Sequence, residues 1–202
     1  YKMDYFNNDG SWETMCANGA RCAALFMWEK KLVGDKISFL AGDGAHQTKI
    51  KNQDNIQLSM IQPSLKSEEI ISNGYKGKYI DSGAKHFTTI VNHMTEADVN
   101  KDGKKIRNDK VFSDGINVNF MKIINPQHIK VLTYEKGIEN MVLSCGSGSV
   151  ASAYYAYQKK LIKSPLKISV PGGKLKLIFN NMWDNVWLSG PARLSPETTW
   201  AP

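Results

Sequence analysis

The sequence predicts an α/β fold of the α+β kind, in which two similar halves each wrap a sheet around one central helix. Two observations predict it. Short runs of alternating apolar and polar residues outnumber the helical runs. The chain also echoes itself: Cys16-Ala17-Asn18-Gly19 and, 129 residues later (145 − 16), Cys145-Gly146-Ser147-Gly148 each open a run of small residues. Both runs end in lysines, Lys30-Lys31 and Lys159-Lys160, which suit the negative end of a helix dipole. The echo continues into Lys36-Ile37-Ser38 against Lys167-Ile168-Ser169, and into Asp54 to Ser59 against Asp184 to Ser189. A repeat this long points to two related halves, because solenoid repeats have periods of about 20–50 residues.

Taken in order, residues 1–15 read as a strand closed by the turn residues Asn8-Asp9-Gly10. A helix starts at Cys16, takes Leu25, Met27, Trp28 and Leu32 as apolar positions, and stops at Gly34. Cys22 is expected inside it, buried against apolar neighbours. Ile37-Ser38-Phe39 and Ile56 to Met60 alternate as half-buried strands do. Pro63-Ser64 and Lys66-Ser67-Glu68-Glu69 have linker character, so a first domain of residues 1–70 is expected to precede a second of 71–202, whose tail is free to return to the first. The second half opens with Tyr79 to Phe87 and runs on in β-branched residues to Val91. Lys101 to Lys110 reads as a solvated loop or strand edge. Ile116, Val118 and Phe120 alternate with Asn117 and Asn119, and Lys130 to Tyr134 leads into Glu135-Lys136-Gly137 and the second cysteine turn. Leu175, Leu177 and Phe179 follow Pro171-Gly172-Gly173, and Gly190-Pro191 closes the last strand. The second half has about 80 residues ahead of its cysteine and the first far fewer, so about 60 further residues are expected ahead of Tyr1, leaving the N-terminal domain incomplete.

At 202 residues, 42% hydrophobic and 22% charged, the chain can bury a core. Its net charge of +7 comes mainly from lysines dispersed along the sequence. Nucleic-acid recognition, which needs a clustered basic face with interleaved aromatics, is not expected. No apolar run approaches 18 residues and no charged-then-apolar leader is present, so no membrane association and a cytoplasmic location are expected. Three cysteines without a secretory signal favour free thiols. His46, His86, His93 and His128 are dispersed, without metal-ligand spacing, and no metal site is expected. His46, His93 and His128 are expected at the surface.

A cysteine at a helix N-terminus sits in the positive end of the dipole, which lowers its pKa from about 8.5 toward roughly 3.5–7.5. Such a thiolate is a usable base. The small residues after each cysteine leave backbone N–H groups open to a carboxylate. If the halves face each other, Cys16 and Cys145 lie on opposite sides of one bound carboxylate, the arrangement that inverts the carbon beside it. One thiolate removes the Cα proton, and the other thiol returns a proton to the opposite face. The two thiols then titrate as a coupled pair, and no cofactor is demanded.

These residues resemble the signatures of the diaminopimelate epimerase family, pyridoxal-independent isomerases of two similar domains that act on the route to lysine and peptidoglycan. The N-x-D-G-S and C-G-N-G-x-R-C signatures are similar to Asn7 to Ser11 and Cys16 to Cys22, and C-G-T-G to Cys145 to Gly148. N-V-x-F is matched by Asn117 to Phe120, P-G-G-x-L by Pro171 to Leu175, and G-P-A by Gly190 to Ala192. The resemblance implies that Cys16 and Cys145 are the acid–base pair, assisted by His86 and Glu135. It implies that Ala17, Asn18, Gly146 and Ser147 hold the reacting carboxylate, and that Asn7, Asn117 and Lys136 meet the distal end of the substrate. Three departures fall near that distal end. Ala84 and Lys85 replace the Asn and Pro of G-N-P-H, Lys136 replaces the Arg of E-R-G, and one extra residue lies between Glu135 and Cys145. Arginine to lysine exchanges a bidentate fork for a point charge. The partner implied is a small amino acid, and a homodimer is compatible with this reading. The alternatives are a racemase of another amino acid, such as a histidine racemase of opine metallophore synthesis, and a non-catalytic binding module.

Overall fold

The computed structural model describes residues 1–7 and 10–195; Asn8 and Asp9 of the expected first turn lie outside the described residues. The elements run β1 (Tyr5–Phe6), β2 (Trp12–Glu13), α1 (Ala17–Glu29), β3 (Lys36–Ala41), β4 (Gly44–Asn52), β5 (Asn55–Met60), β6 (Ser64–Ser72), β7 (Tyr75–Asp81) and β8 (Lys85–Ile90). They continue with α2 (Glu96–Arg107), β9 (Asn117–Asn125), β10 (His128–Glu135), β11 (Asn140–Val142), α3 (Gly146–Gln158), β12 (Leu166–Val170), β13 (Gly173–Phe179) and β14 (Val186–Gly190). β1 and β2 form a small hairpin, and the others join one mixed sheet in the order β3-β4-β5-β14-β13-β12-β10-β9-β8-β7-β6, with β11 on β10.

The two halves therefore share a continuous sheet, and they are joined where β5 pairs antiparallel with β14. Leu58 lies opposite Leu188, Gln57 opposite Ser189, and Ser59 opposite Trp187. These are the echoed segments. Leu58 faces its own counterpart, and Gln57 faces the counterpart of Ser59, the reciprocal pattern that a local two-fold axis produces. The chain leaves the first half earlier than expected. Residue 70 falls inside β6, which pairs with β7 in the second half, so the crossing comes at Ile61 to Pro63, before the polar residues that resembled a linker.

Helix α1 buries Ala17, Ala20, Arg21, Ala24 and Leu25, an i, i+3, i+4 stripe. Cys22 falls off that stripe and is exposed, which corrects its expected burial. Helix α3 is buried on most sides, from Gly146 to Ala156, because small residues let it sit close against the surrounding strands. Its core includes Val150, Ala153, Ile129, Leu166, Leu177 and Leu188. A second cluster, with Phe87, Val118, Phe120 and Tyr134, lies under α2.

Helix α2 replaces the loop expected around Lys101 to Lys110. Its signal is a capping box, in which the Thr95 hydroxyl accepts from the Asp98 N–H and the Asp98 carboxylate accepts from the Thr95 N–H. Val99, Gly103 and Ile106 face inward, and Lys104, Lys105 and Arg107 lie in the last turn. Only two of those inward positions are apolar side chains, too few for the period to stand out.

The solvent face of the sheet collects lysines that are dispersed in sequence. Lys36 lies opposite Lys49, Lys122 opposite Lys130, and Lys167 opposite Lys176. Like charges directly across a strand pair are destabilising. Lys176→Glu is therefore expected to raise stability by about 0.2–1 kcal/mol, measured as a higher urea midpoint at unchanged slope.

Candidate active site

The two cysteines occupy the same position in the two halves. Cys16 caps α1 with φ −120° and ψ 112°, and Cys145 caps α3 with φ −124° and ψ 114°. The two N-termini meet at the pseudo-two-fold. A Cβ added to Gly146 would stand 2.5 Å from the Cβ of its counterpart Ala17, and 3.2 Å from Leu188 Cδ2. Gly146 is thus the residue that lets the helix ends touch. Asn18 ties the contact down by donating from Nδ2 to the Ser144 carbonyl at 3.2 Å.

Both cysteines, with Ala17, Asn18, Gly146 and Ser147, line one cavity of about 750 Å³. Its remaining walls include Asn7, Asp81, Lys85, Asp114, Asn117, Glu135 and Lys136. Ten of the eleven site residues named from the sequence therefore meet at one cavity. His86 is the exception: it is fully buried and stands behind Ser147, with Nε2 2.9 Å from the Ser147 hydroxyl oxygen.

The two sulfurs have different surroundings. Cys16 Sγ accepts from the Gly19 N–H at 3.4 Å, and the Tyr5 hydroxyl hydrogen-bonds to it. Tyr5, which the sequence did not single out, has its pKa raised first by burial and then by the proximity of Cys16. Around Cys145 stand the Glu135 carboxylate and the Ser147 hydroxyl, whose oxygen is 3.5 Å from Sγ. Burial, with the charge of Glu135 behind it, pushes the Cys145 thiol well up, against the pull of Ser147 and the Gly148 N–H. The lowered pKa expected at a helix N-terminus is thus overturned here, because desolvation outweighs the dipole. Glu135 is itself raised by burial, and its bond to Cys145 offsets only part of that rise.

The asparagines are held by protein groups. Asn117 donates to the Lys85 carbonyl at 3.1 Å and accepts from the Lys136 N–H at 2.9 Å, tying two cavity loops together. Asn7 donates to the Ser11 hydroxyl at 3.2 Å. Arg21, also unforeseen, is buried beneath the first cysteine turn and donates to the Ala17 carbonyl at 3.2 Å and to Asn18 Oδ1 at 2.6 Å. His46 is buried rather than at the surface, with Nε2 2.9 Å from Asp43 Oδ1 and Nδ1 2.8 Å from the Ser59 carbonyl. Burial lowers its pKa, and those two partners reverse the shift to a net rise. Among the described residues, no helix is long and apolar enough to cross a membrane.

The fold recurs in solved phenazine biosynthesis proteins of the PhzF family. The one from Bacillus anthracis matches with a TM-score of 0.68 at 12% identity, over 94% of this chain and 77% of its own. The one from Enterococcus faecalis matches with a TM-score of 0.68 at 15% identity, over 96% and 75%. At the level of sequence, the family model described as diaminopimelate epimerase matches residues 78–194. Diaminopimelate epimerase of Chlorobaculum tepidum is 33% identical over 96% of this chain and 77% of its own length. That of Flavobacterium psychrophilum is 34% identical over 98% and 78%. The chain is an isomerase of the amino-acid racemase and epimerase class. It belongs to the diaminopimelate epimerase family.

Overpacking at the two-fold should be costly and reversible. Gly146→Ala is expected to destabilise the protein by about 1–3 kcal/mol in chemical denaturation, and adding Ala17→Gly to recover most of that loss. His86 gives a pH signature. Burial holds its folded pKa down to about 3 against 6.5 unfolded, so its neutral form contributes fully above pH 6.5 and that contribution is lost as pH falls toward 3. His86→Gln should flatten the dependence of unfolding free energy on pH across that window, relative to the parent protein.

Proposed function

We propose that this enzyme interconverts LL- and meso-2,6-diaminopimelate, a step toward lysine and peptidoglycan, by moving protons between the substrate Cα and two thiols. The observation that carries this reading is the pair of cysteines that cap two helices at the wall of one cavity. The reacting carboxylate sits between the two helix ends, where the first N–H groups of each helix have no intrahelical partner. One thiolate takes the Cα proton, and the opposite thiol delivers a proton to the other face. Charge that develops on the carboxylate oxygens in between is stabilised by both helix ends.

The surroundings of the two sulfurs support one order of proton transfer. Cys145 holds its proton, since burial and Glu135 both oppose its ionisation. Cys16, which accepts from the Gly19 N–H and stands beside the Tyr5 hydroxyl, takes the part of the base in this direction. In the reverse direction the roles exchange, and Ser147 and the Gly148 N–H become donors to the Cys145 thiolate.

The substrate assignment is supported by the charges on the other walls. The distal head of diaminopimelate carries an ammonium and a carboxylate. Asp81 and Asp114 suit the first, and Lys85 and Lys136 the second. Lys85 and Asp114 already pair with each other at 3.2 Å, and a zwitterionic head can exchange with that pair charge for charge, which an imidazole or an apolar side chain cannot do.

Chiral chromatography is expected to show LL-diaminopimelate converted to the meso form and L-histidine left unchanged. The opposite preference would contradict the substrate assignment while leaving the chemistry standing. Cys16→Ala and Cys145→Ala should each lower kcat by roughly 10²–10⁴-fold. Asp114→Asn should act mainly on KM, which separates substrate binding from proton transfer.

A further inference from the structure

Asn119 lies on β9, fully buried, and the surrounding groups fix which way its amide points. Nδ2 is 3.3 Å from the Phe87 carbonyl oxygen, an acceptor that can face only an N–H. The same nitrogen is 3.0 Å from His86 Nδ1, and its second hydrogen goes there. Oδ1 accepts from the Thr133 hydroxyl at 2.8 Å, which locks the amide from its other side.

The consequence passes along a line of hydrogen bonds. A neutral imidazole that accepts at Nδ1 carries its proton on Nε2. His86 Nε2–H therefore donates to the Ser147 oxygen, 2.9 Å away. Having accepted that bond, the Ser147 hydroxyl keeps its own hydrogen to give, and Cys145 Sγ lies 3.5 Å from it. Helix α3 can come this close because residue 148 is glycine. A Cβ there would stand 2.3 Å from Asn119 Oδ1 and 3.2 Å from His86 Cε1.

We propose that Asn119 is a positioning residue: by fixing the tautomer of His86 it commits the Ser147 hydroxyl to donate to the Cys145 sulfur, and so stabilises the thiolate form of that cysteine. The proposal rests on the reading of Cys145 as a proton-transfer group, but it concerns the direction of hydrogen bonds and is testable without turnover. Glu135 is the charged group that faces Cys145, with Glu13 next beyond it, and both stay unchanged in the variants below. The residues that flank His86 on β7 and β9 are Ile80 and Asn117, and α3 presents Ser147 and Gly148, so no other titratable group reaches the ring from those elements.

The test is the pH dependence of Cys145 alkylation by iodoacetamide, read by peptide mass spectrometry, with Cys16 in the same digest as the reference. Asn119→Asp places a carboxylate acceptor against Nδ1, reverses the tautomer and draws the Ser147 hydroxyl toward His86. Ser147→Ala removes the donor and leaves Asn119 and His86 in place, whereas Ser147→Thr keeps a hydroxyl. Asn119→Asp and Ser147→Ala should each move the Cys145 profile to higher pH by about one unit, with the Cys16 profile unchanged and Ser147→Thr like the parent. An unchanged Cys145 profile in folded Ser147→Ala overturns the proposal, and so does a shift in Asn119→Asp that Ser147→Ala lacks. The serine pair decides the matter even where Asn119→Asp fails to fold. Failure of the two-thiol chemistry would show separately, as full activity in Cys145→Ala.

Discussion

The contact between Ala17 and Gly146 sets the geometry of everything around it. Two helices can bring their N-termini together only where one of the facing residues lacks a Cβ, and here the second does. The reciprocal pairing of β5 with β14 supplies the frame, because it relates the two halves by a local two-fold that runs between the same helices. The cysteines, one residue ahead of the contact on each side, then face a shared cavity with nearly identical backbone angles. The repeat accounts for the symmetry of the site, and the close approach of the helix ends brings both cysteine turns to one cavity.

The side chains break that symmetry. Each sulfur lies beside the backbone N–H three residues on, but one also meets a phenol and the other a carboxylate and a serine hydroxyl. Under the proposed chemistry, one thiol must be protonated and the other ionised at the start of each turnover, a state that a coupled pair sharing one proton supplies. Burial, which raises the Cys145 thiol, also makes each donor near it count for more, and the proposed line from Asn119 through His86 to Ser147 would act there.

Much of this was legible in the sequence because it rests on local signals. The repeat placed the two helices, and the period of two marked β3, β5, β9 and β13. What stayed hidden depends on which side of an element faces inward. Cys22 and Arg21 are neighbours, and only the phase of α1 puts the arginine in and the cysteine out. Helix α2 gives no clear period because its inward stripe includes a glycine. The burial of His46 is not legible in the sequence, since nothing there reveals that Asp43 and Ser59 enclose it. A helix dipole at Cys145 can be read from sequence, while its burial beside Glu135, which raises the thiol, cannot.

The most direct test of two thiols on opposite faces is the fate of deuterium in D₂O at low conversion, with product and recovered substrate analysed separately. Two bases predict deuterium at Cα of the product and none in the recovered substrate, since the group that takes a proton is not the one that returns a solvent deuteron. Deuterium that appears in recovered substrate as fast as in product would mean that one group serves both faces.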